Sequence, residues 1–156
     1  MLGRALLADP DFVKKTKEDK DAQIAPCTGC LAGCVGQQTK RLCGTCVINP
    51  FCGHEMEMKI EPSTSNKKVM IVGGGIGGLS AARMCSLRGL DVEVFEKSGV
   101  LGGQINLASK ITPKKEMHKW IDYLESECQR LQIPVHLNHE VKVSDVHDFD
   151  VVRVCN

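Results

Sequence analysis

A short apolar run, Lys68-Val69-Met70-Ile71-Val72, leads straight into Gly73-Gly74-Gly75-Ile76-Gly77-Gly78. Nothing else in the chain restricts its fold as much. The run is apolar at consecutive positions, as a buried strand of a parallel sheet should be. Gly73, Gly75 and Gly78 fit the pattern G-x-G-x-x-G. In that pattern the first glycine permits a tight turn and the second lets the backbone approach a pyrophosphate. The third lets the following helix pack close to the strand.

The sequence downstream continues the pattern. Leu79 to Leu87, with Ala81, Ala82 and Cys85, reads as the helix, and Arg88-Gly89 ends it. Asp91-Val92-Glu93-Val94-Phe95-Glu96 alternates and closes on an acid, as a second strand would. Glu96 falls near the ~20 residues downstream where a ribose-binding acid is expected. Its carboxylate would accept from the ribose hydroxyls, while the helix N-terminus offers N–H groups to the phosphates. A glutamate at 96, rather than a basic residue, disfavours a 2′-phosphate. It leaves FAD and NAD undistinguished.

Further on, Met117, Trp120, Ile121, Leu124, Cys128 and Leu131 recur at helical spacing. Thr112-Pro113 suits the start of that helix and Pro134 its stop. Val135-His136-Leu137 and Val151-Val152-Arg153-Val154 are further strand candidates. Residues 1–25 read as helical and polar, with Lys14, Lys15, Lys17 and Lys20 among acids on a solvated face. Glu61 to Asn66 reads as a linker.

Composition excludes several classes. Twenty Lys and Arg balance 19 Asp and Glu, so no charge footprint marks a nucleic acid or membrane partner. Aromatic residues are only 4%, too few for base stacking. No apolar run approaches the ~20 residues of a membrane span. The opening residues turn acidic too soon for a secretory signal. A cytoplasmic protein is expected.

Nine cysteines is a high number, and six fall between Cys27 and Cys52. In a reducing compartment such a group points to metal rather than disulfides. Two ligand sets compete. Cys27-Thr28-Gly29-Cys30 and Cys43-Gly44-Thr45-Cys46 form two C-x-x-C pairs, the shape of a zinc site. Cys27, Cys30, Cys34 and Cys46 form a close triplet with one distant partner, an arrangement that suits an iron–sulfur cube. Spacing alone does not separate them.

Taken together, several motifs resemble one family. Cys27-x-x-Cys30-x-x-x-Cys34, then Cys46-Val47-Ile48-Asn49-Pro50, then Gly53-His54-Glu55, resembles the cluster segment of the iron–sulfur flavoenzymes related to old yellow enzyme. The 2,4-dienoyl-CoA reductase and 2-enoate reductase types are the nearest in pattern. Gly3 to Pro10 looks like the end of their FMN-binding barrel, where the glycine–arginine pair lies near the FMN phosphate. Gly73 to Gly78, Glu96-Lys97 and Gly102-Gly103-Gln104 look like their FAD- or ADP-binding half-domain. Leu137 to Val141 matches a segment whose backbone lies near the adenine.

The resemblance implies an α/β fold, with an incomplete Rossmann-like FAD-binding domain preceded by a cysteine-rich [4Fe–4S] segment. It implies a barrel remnant over residues 1–25, a cluster segment over 26–60, a linker over 61–66 and a partial FAD domain over 67–156. Cys27, Cys30, Cys34 and Cys46 would hold the cluster, with Cys43 and Cys52 as bystanders. Gly73, Gly75, Gly77, Gly78, Glu96, Lys97, Gly102, Gly103, Gln104 and Val141 would bind FAD or ADP. The implied activity is electron transfer from FAD through the cluster to FMN, within an NAD(P)H-dependent ene-reductase acting on activated C=C bonds. FMN and NAD(P)H would bind to parts of a longer parent enzyme, a barrel and a nicotinamide domain. Those parts would be this segment's partners, with homo-oligomerisation open, and the segment alone would be inactive.

Two alternatives accompany this reading. One is an amine dehydrogenase-like relative holding ADP, although that branch has two rather than three residues between its second and third cysteines. The other is a zinc-stapled nucleotide-binding module without catalysis. Arg153-Val154-Cys155-Asn156 departs from the family's small-residue turn, which implies a truncated or frame-shifted end and a marginally stable isolated chain. No catalytic role is assigned to His54, His118, His136 or His139, because no nucleophile pairs with them in the sequence.

Overall fold

The structure is a computed structural model describing residues 2–155, with Thr112 and Pro113 described by their backbone alone. It forms two compact units, Met1–Lys59 with Ser109–Tyr123, and Ile60–Ala108 with Leu124–Asn156.

The second unit is a parallel sheet. Strand β1 is Lys68–Val72, β2 is Asp91–Phe95, β3 is Val135–His136 and β4 is Val151–Val154. Their spatial order is β3-β2-β1-β4, and every pairing is parallel. Val69 lies opposite Val92 on one side and Val151 on the other. The chain moves outward from β1 to β2 and β3, then returns to place β4 on the opposite flank of β1. In open α/β sheets that reversal leaves a crevice at the carboxyl ends of the strands, where ligands bind.

The core follows from the sequence. Val69, Met70, Ile71, Val92 and Val94 are buried because the central strands are covered by neighbours. A helix over Ile76–Leu87 buries Gly78, Leu79 and Ala82. The helix over His118–Arg130 carries buried Glu127, which meets Arg83 at 2.7 Å and Arg130 at 2.6 Å. β4 is exposed along its whole length, because it forms the free edge of the sheet.

The first unit begins with two short helices, α1 (Gly3–Ala8) and α2 (Phe12–Lys17), followed by a single 3₁₀ turn, Asp21–Gln23. The cysteine segment then runs as irregular chain except for a third helix, α3 (Val35–Gln38). In chain order the remaining helices are α4 (Ile76–Leu87), α5 (Ile105–Ala108) and α6 (His118–Arg130).

Several elements differ from expectation. α3, α5 and the 3₁₀ stretch Val143–Asp148 have four to six residues each, too few to show an apolar period. The helix expected from Thr112 starts as a 3₁₀ stretch, Thr112–Met117, and becomes α-helical at His118. The linker is fastened to the end of α4, where Ser63 N donates to Arg88 O and Arg88 Nε donates to Glu61 O. Among the described residues, no helix is long and apolar enough to cross a membrane.

Candidate functional site

The glycine turn sits where the sheet order reverses. Gly73 has φ +109°, a region that side-chain-bearing residues rarely adopt, and a Cβ there would run into the carbonyl of Cys155. Cys155 in turn donates its N–H to Val72 O at 2.8 Å, so the end of β4 closes one side of the turn. A Cβ on Gly78 would strike the carbonyl of Gly73, so only glycine lets α4 start this close to β1.

Gly75 and Gly77 differ from these. Nothing lies within 4 Å of where a Cβ on either would project. Gly75 is the N-cap of α4, and no side chain caps that end. The first N–H groups of a helix have no partner inside it, so this end can receive a phosphate. The open space beside Gly75 is a cradle that a methyl group would fill.

Glu96 ties the turn to the second strand. Its Oε2 accepts from Gly74 N at 2.6 Å and its Oε1 accepts from Ser98 N at 2.8 Å. Burial pushes this carboxyl up, but the backbone N–H groups of Ser98 and Gly74 outweigh burial and hold it below the ordinary value. The acid is therefore charged at neutral pH. Both oxygens already accept a backbone bond, so the acid expected to meet a ribose has a structural task as well. No local signature marks the bond to Gly74, which joins residues 22 positions apart.

Other predicted residues gather at the same end of the sheet. Gly102 N donates to Gly74 O at 2.8 Å, and Gly75 bridges Gly102. A Cβ on Gly103 would sit 3.3 Å from Gly75 Cα. Gln104 is exposed just before α5, and Lys97 is exposed beside Glu96. His139 N donates to Glu96 O and Asn138 N to Ser98 O, which sets 138–139 along the chain after β2. Val141 lies two residues further on and is half-buried. Sequence reasoning missed Ser98, although its place two residues after an acid that ends a strand fits a local side-chain–backbone turn.

In the first unit, Cys27, Cys30, Cys34 and Cys46 line one cavity, together with Arg4, Leu7, Thr28, Leu31, Gly33, Thr45, Val47 and Ile48. Leu31, between two of these cysteines, has φ +58° and turns the chain sharply. Thr45 N donates to Gly33 O at 3.1 Å, linking the loop of the triplet to the arm carrying Cys46. Cys43 does not line the cavity. Its Sγ lies 3.8 Å from Gly44 O, and the buried Cys52 Sγ lies 4.0 Å from the same oxygen. Burial pushes the Cys52 thiol up, and Cys46 adds to this.

Among the described residues, no group of three or more His, Cys, Asp or Glu side chains could hold a metal ion as they stand. A single zinc needs its thiolates ~2.3 Å from one point. A cluster brings its own irons and sulfides between the thiolates, so its ligands stand farther apart. Cys27, Cys30, Cys34 and Cys46 bring four thiols and no carboxylate to one cavity, a donor set that a cluster would use.

Comparison with known proteins bears on both sites. Residues 71–122 match the model of an NAD(P)-binding Rossmann-like domain. Bilirubin reductase of Mediterraneibacter gnavus is 43% identical over 136 residues, covering 87% of this chain and 21% of that protein. Cinnamate reductase of Clostridium sporogenes is 35% identical over 153 residues, covering 98% of this chain and 23% of that protein. A solved 2-naphthoyl-CoA reductase superposes with a TM-score of 0.93 at 32% identity, over 97% of this chain and 24% of that one. The chain is similar to one segment of each of these oxidoreductases. The resemblance to flavoenzymes related to old yellow enzyme therefore stands. The chain spans about a fifth of the length of the two curated relatives. Histamine dehydrogenase from Rhizobium sp. 4-9 is also similar, with a TM-score of 0.87 at 26% identity, over 97% of this chain and 23% of that one. A dehydrogenase named for an amine is thus also among the structural neighbours of this chain.

Proposed function

We propose that this chain is the electron-transfer segment of an NAD(P)H-dependent ene-reductase, with FAD at the glycine turn and a [4Fe–4S] cluster in the cysteine cavity. The observation that carries the reading is the shared cavity of Cys27, Cys30, Cys34 and Cys46, with Cys43 left outside it. That is the ligand set of the cube and not that of the paired C-x-x-C zinc site. Bound there, the cluster supplies one-electron transfer between FAD and an FMN held by the barrel of the parent enzyme.

The chain's own residues have distinct tasks. The four thiols ligate. The N–H groups at the start of α4 receive the pyrophosphate, and the open space at Gly75 lets it come close. Glu96 holds the turn in place and offers its remaining lone pairs to the ribose. Gly102, Gly103 and Gln104 border the flavin side, and Lys97 and Val141 border the nucleotide. In this reading residues 1–25 continue a barrel, 26–60 carry the cluster, 61–66 link, and 67–156 form part of the FAD domain. The names of the relatives, cinnamate reductase and 2-naphthoyl-CoA reductase, support a conjugated, activated double bond as the substrate class of the parent enzyme. The barrel and nicotinamide domain would be the partners, in a cytoplasmic enzyme.

The likeness to histamine dehydrogenase supports a second reading, an amine dehydrogenase relative holding ADP. The three residues between Cys30 and Cys34 favour the reductase.

The test is an assay of iron, acid-labile sulfide, zinc and released nucleotide on one anaerobic sample. Iron and sulfide near four each per chain, with FAD, are expected. ADP in place of FAD would move the chain to the amine branch. Zinc without sulfide would overturn the cluster.

A further inference from the structure

We propose that Asp9 and Asn49 are the positioning residues of the cysteine cavity, fastening both arms of the cysteine segment to the end of α1. The proposal rests on the reading that the cavity holds a cluster.

Asp9 closes α1, and its side chain is 4% exposed. Oδ2 accepts the N–H of Ala25 at 2.8 Å, two residues before Cys27. The same oxygen meets Lys15 Nζ at 2.6 Å, and Lys15 also donates to Gln23 O at 3.0 Å. One carboxylate thus fixes where the first arm enters the cavity. Asn49 is 8% exposed and lies three residues after Cys46. Its Nδ2 donates to Leu7 O at 3.0 Å, and its Oδ1 accepts from Phe51 N at 3.0 Å. Leu7 itself lines the cavity. The second arm is therefore held on the same turn of helix as the first.

The two fastenings use separate atoms at the end of α1. In a helix that ran on, Leu7 O would accept the N–H of Asp11, four residues ahead. Here Asp11 N donates to Asp9 Oδ1 at 3.0 Å instead. Pro10 has no N–H and holds Asp9 in extended backbone, φ −141° and ψ 100°, so α1 ends there and the Leu7 carbonyl is left for Asn49. A buried polar side chain is costly unless it is bonded, so neither residue serves as mere filler.

The test uses the full chain reconstituted with iron and sulfide without oxygen, in wild type, Asp9→Ala, Asn49→Ala and the double variant. Three quantities are read: iron and sulfide bound, the EPR line shape after reduction, and the rate of iron release to a chelator, at a temperature where circular dichroism is unchanged. Each single variant should bind the cluster, broaden its EPR signal and release iron about tenfold faster, the scale of one lost buried hydrogen bond. The double variant should release iron faster than either single variant, because the two bonds hold different arms. Unchanged line shape and release in Asn49→Ala would overturn the proposal. So would a double variant that releases iron no faster than either single one. If Asp9→Ala does not fold, Asn49→Ala decides alone. A wild type without iron and sulfide would defeat the cluster reading itself, a separate result.

Discussion

Glu96 Oε2 accepts the backbone N–H of Gly74 at 2.6 Å, which joins the acid after β2 to the turn after β1. The residue expected to touch a ribose is first a brace for the glycine turn, the proposed phosphate site. Glu96→Gln keeps the shape but leaves one oxygen for two N–H donors and turns an NH₂ toward one of them. A loss of about 1–3 kcal/mol is expected, the cost of an unmade buried bond. Thermal unfolding reads it. The acid sits below its ordinary value of 4.5 when folded, so its contribution is present above that value. It is lost as pH falls through the lower, folded value. Wild type should lose its advantage over Glu96→Gln in that acidic window. An equal Tm at pH 7 would remove the brace.

Gly75 and Gly78 should respond oppositely to the same methyl group. At Gly78 a Cβ meets the Gly73 carbonyl, so Gly78→Ala must push α4 from β1 and cost at least the ~1–3 kcal/mol of overpacking. At Gly75 a Cβ meets nothing, so Gly75→Ala should fold with nearly wild-type stability. That methyl occupies the cradle, and nucleotide affinity should fall by tenfold or more, by about 1.4 kcal/mol per decade. Calorimetric titration with FAD and ADP separates the two effects. If Gly75→Ala binds both as wild type does, the pyrophosphate lies elsewhere.

Much of this was legible in the sequence, and the reason differs by region. β1, α4 and β2 announced themselves because their burial is continuous or alternating over five residues or more, and the glycines sit where backbone approaches backbone. The cysteine cavity was legible only as a list of ligands, because spacing between thiols does not fix their directions. Spacing left Cys43 undecided, the resemblance made it a bystander, and the fold leaves it outside the cavity. The bonds from Asp9 to Ala25 and from Asn49 to Leu7 span 16 and 42 residues and carry no local signature. Short α3 and α5 had no period to read.

Cysteine replacement should divide the six residues between Cys27 and Cys52 into two groups. Cys46→Ser removes a thiol that lines the cavity, and iron and sulfide should fall far below wild type after anaerobic reconstitution. Cys43→Ser alters a thiol that faces Gly44 O, and both should be retained. The zinc module makes the reverse prediction for Cys43, since its second C-x-x-C pair would be broken. Loss of metal from Cys43→Ser, with zinc rather than iron in wild type, would transfer the site to that set.

Glu127 anchors α6 to α4, and its loss should be felt across the sheet unit. The carboxylate is 2% exposed, and it accepts from Arg83 Nε at 2.7 Å and from Arg130 Nε at 2.6 Å. Burial alone would raise this acid. The bonds from Arg130 and Arg83 outweigh burial and hold it below the ordinary range. Removing one member of a buried pair costs roughly 3–5 kcal/mol when the other is trapped without water. Here Arg83 and Arg130 are 24% and 38% exposed and can turn outward, so Glu127→Gln should cost less, about 1–3 kcal/mol. The sign with pH follows from the lowered acid: the increment is present above the unfolded value and disappears as pH falls through the folded one. Urea midpoints for wild type and Glu127→Gln should therefore converge in acid and separate toward neutrality. A constant separation across that range would mean that the variant acts through packing, not through charge.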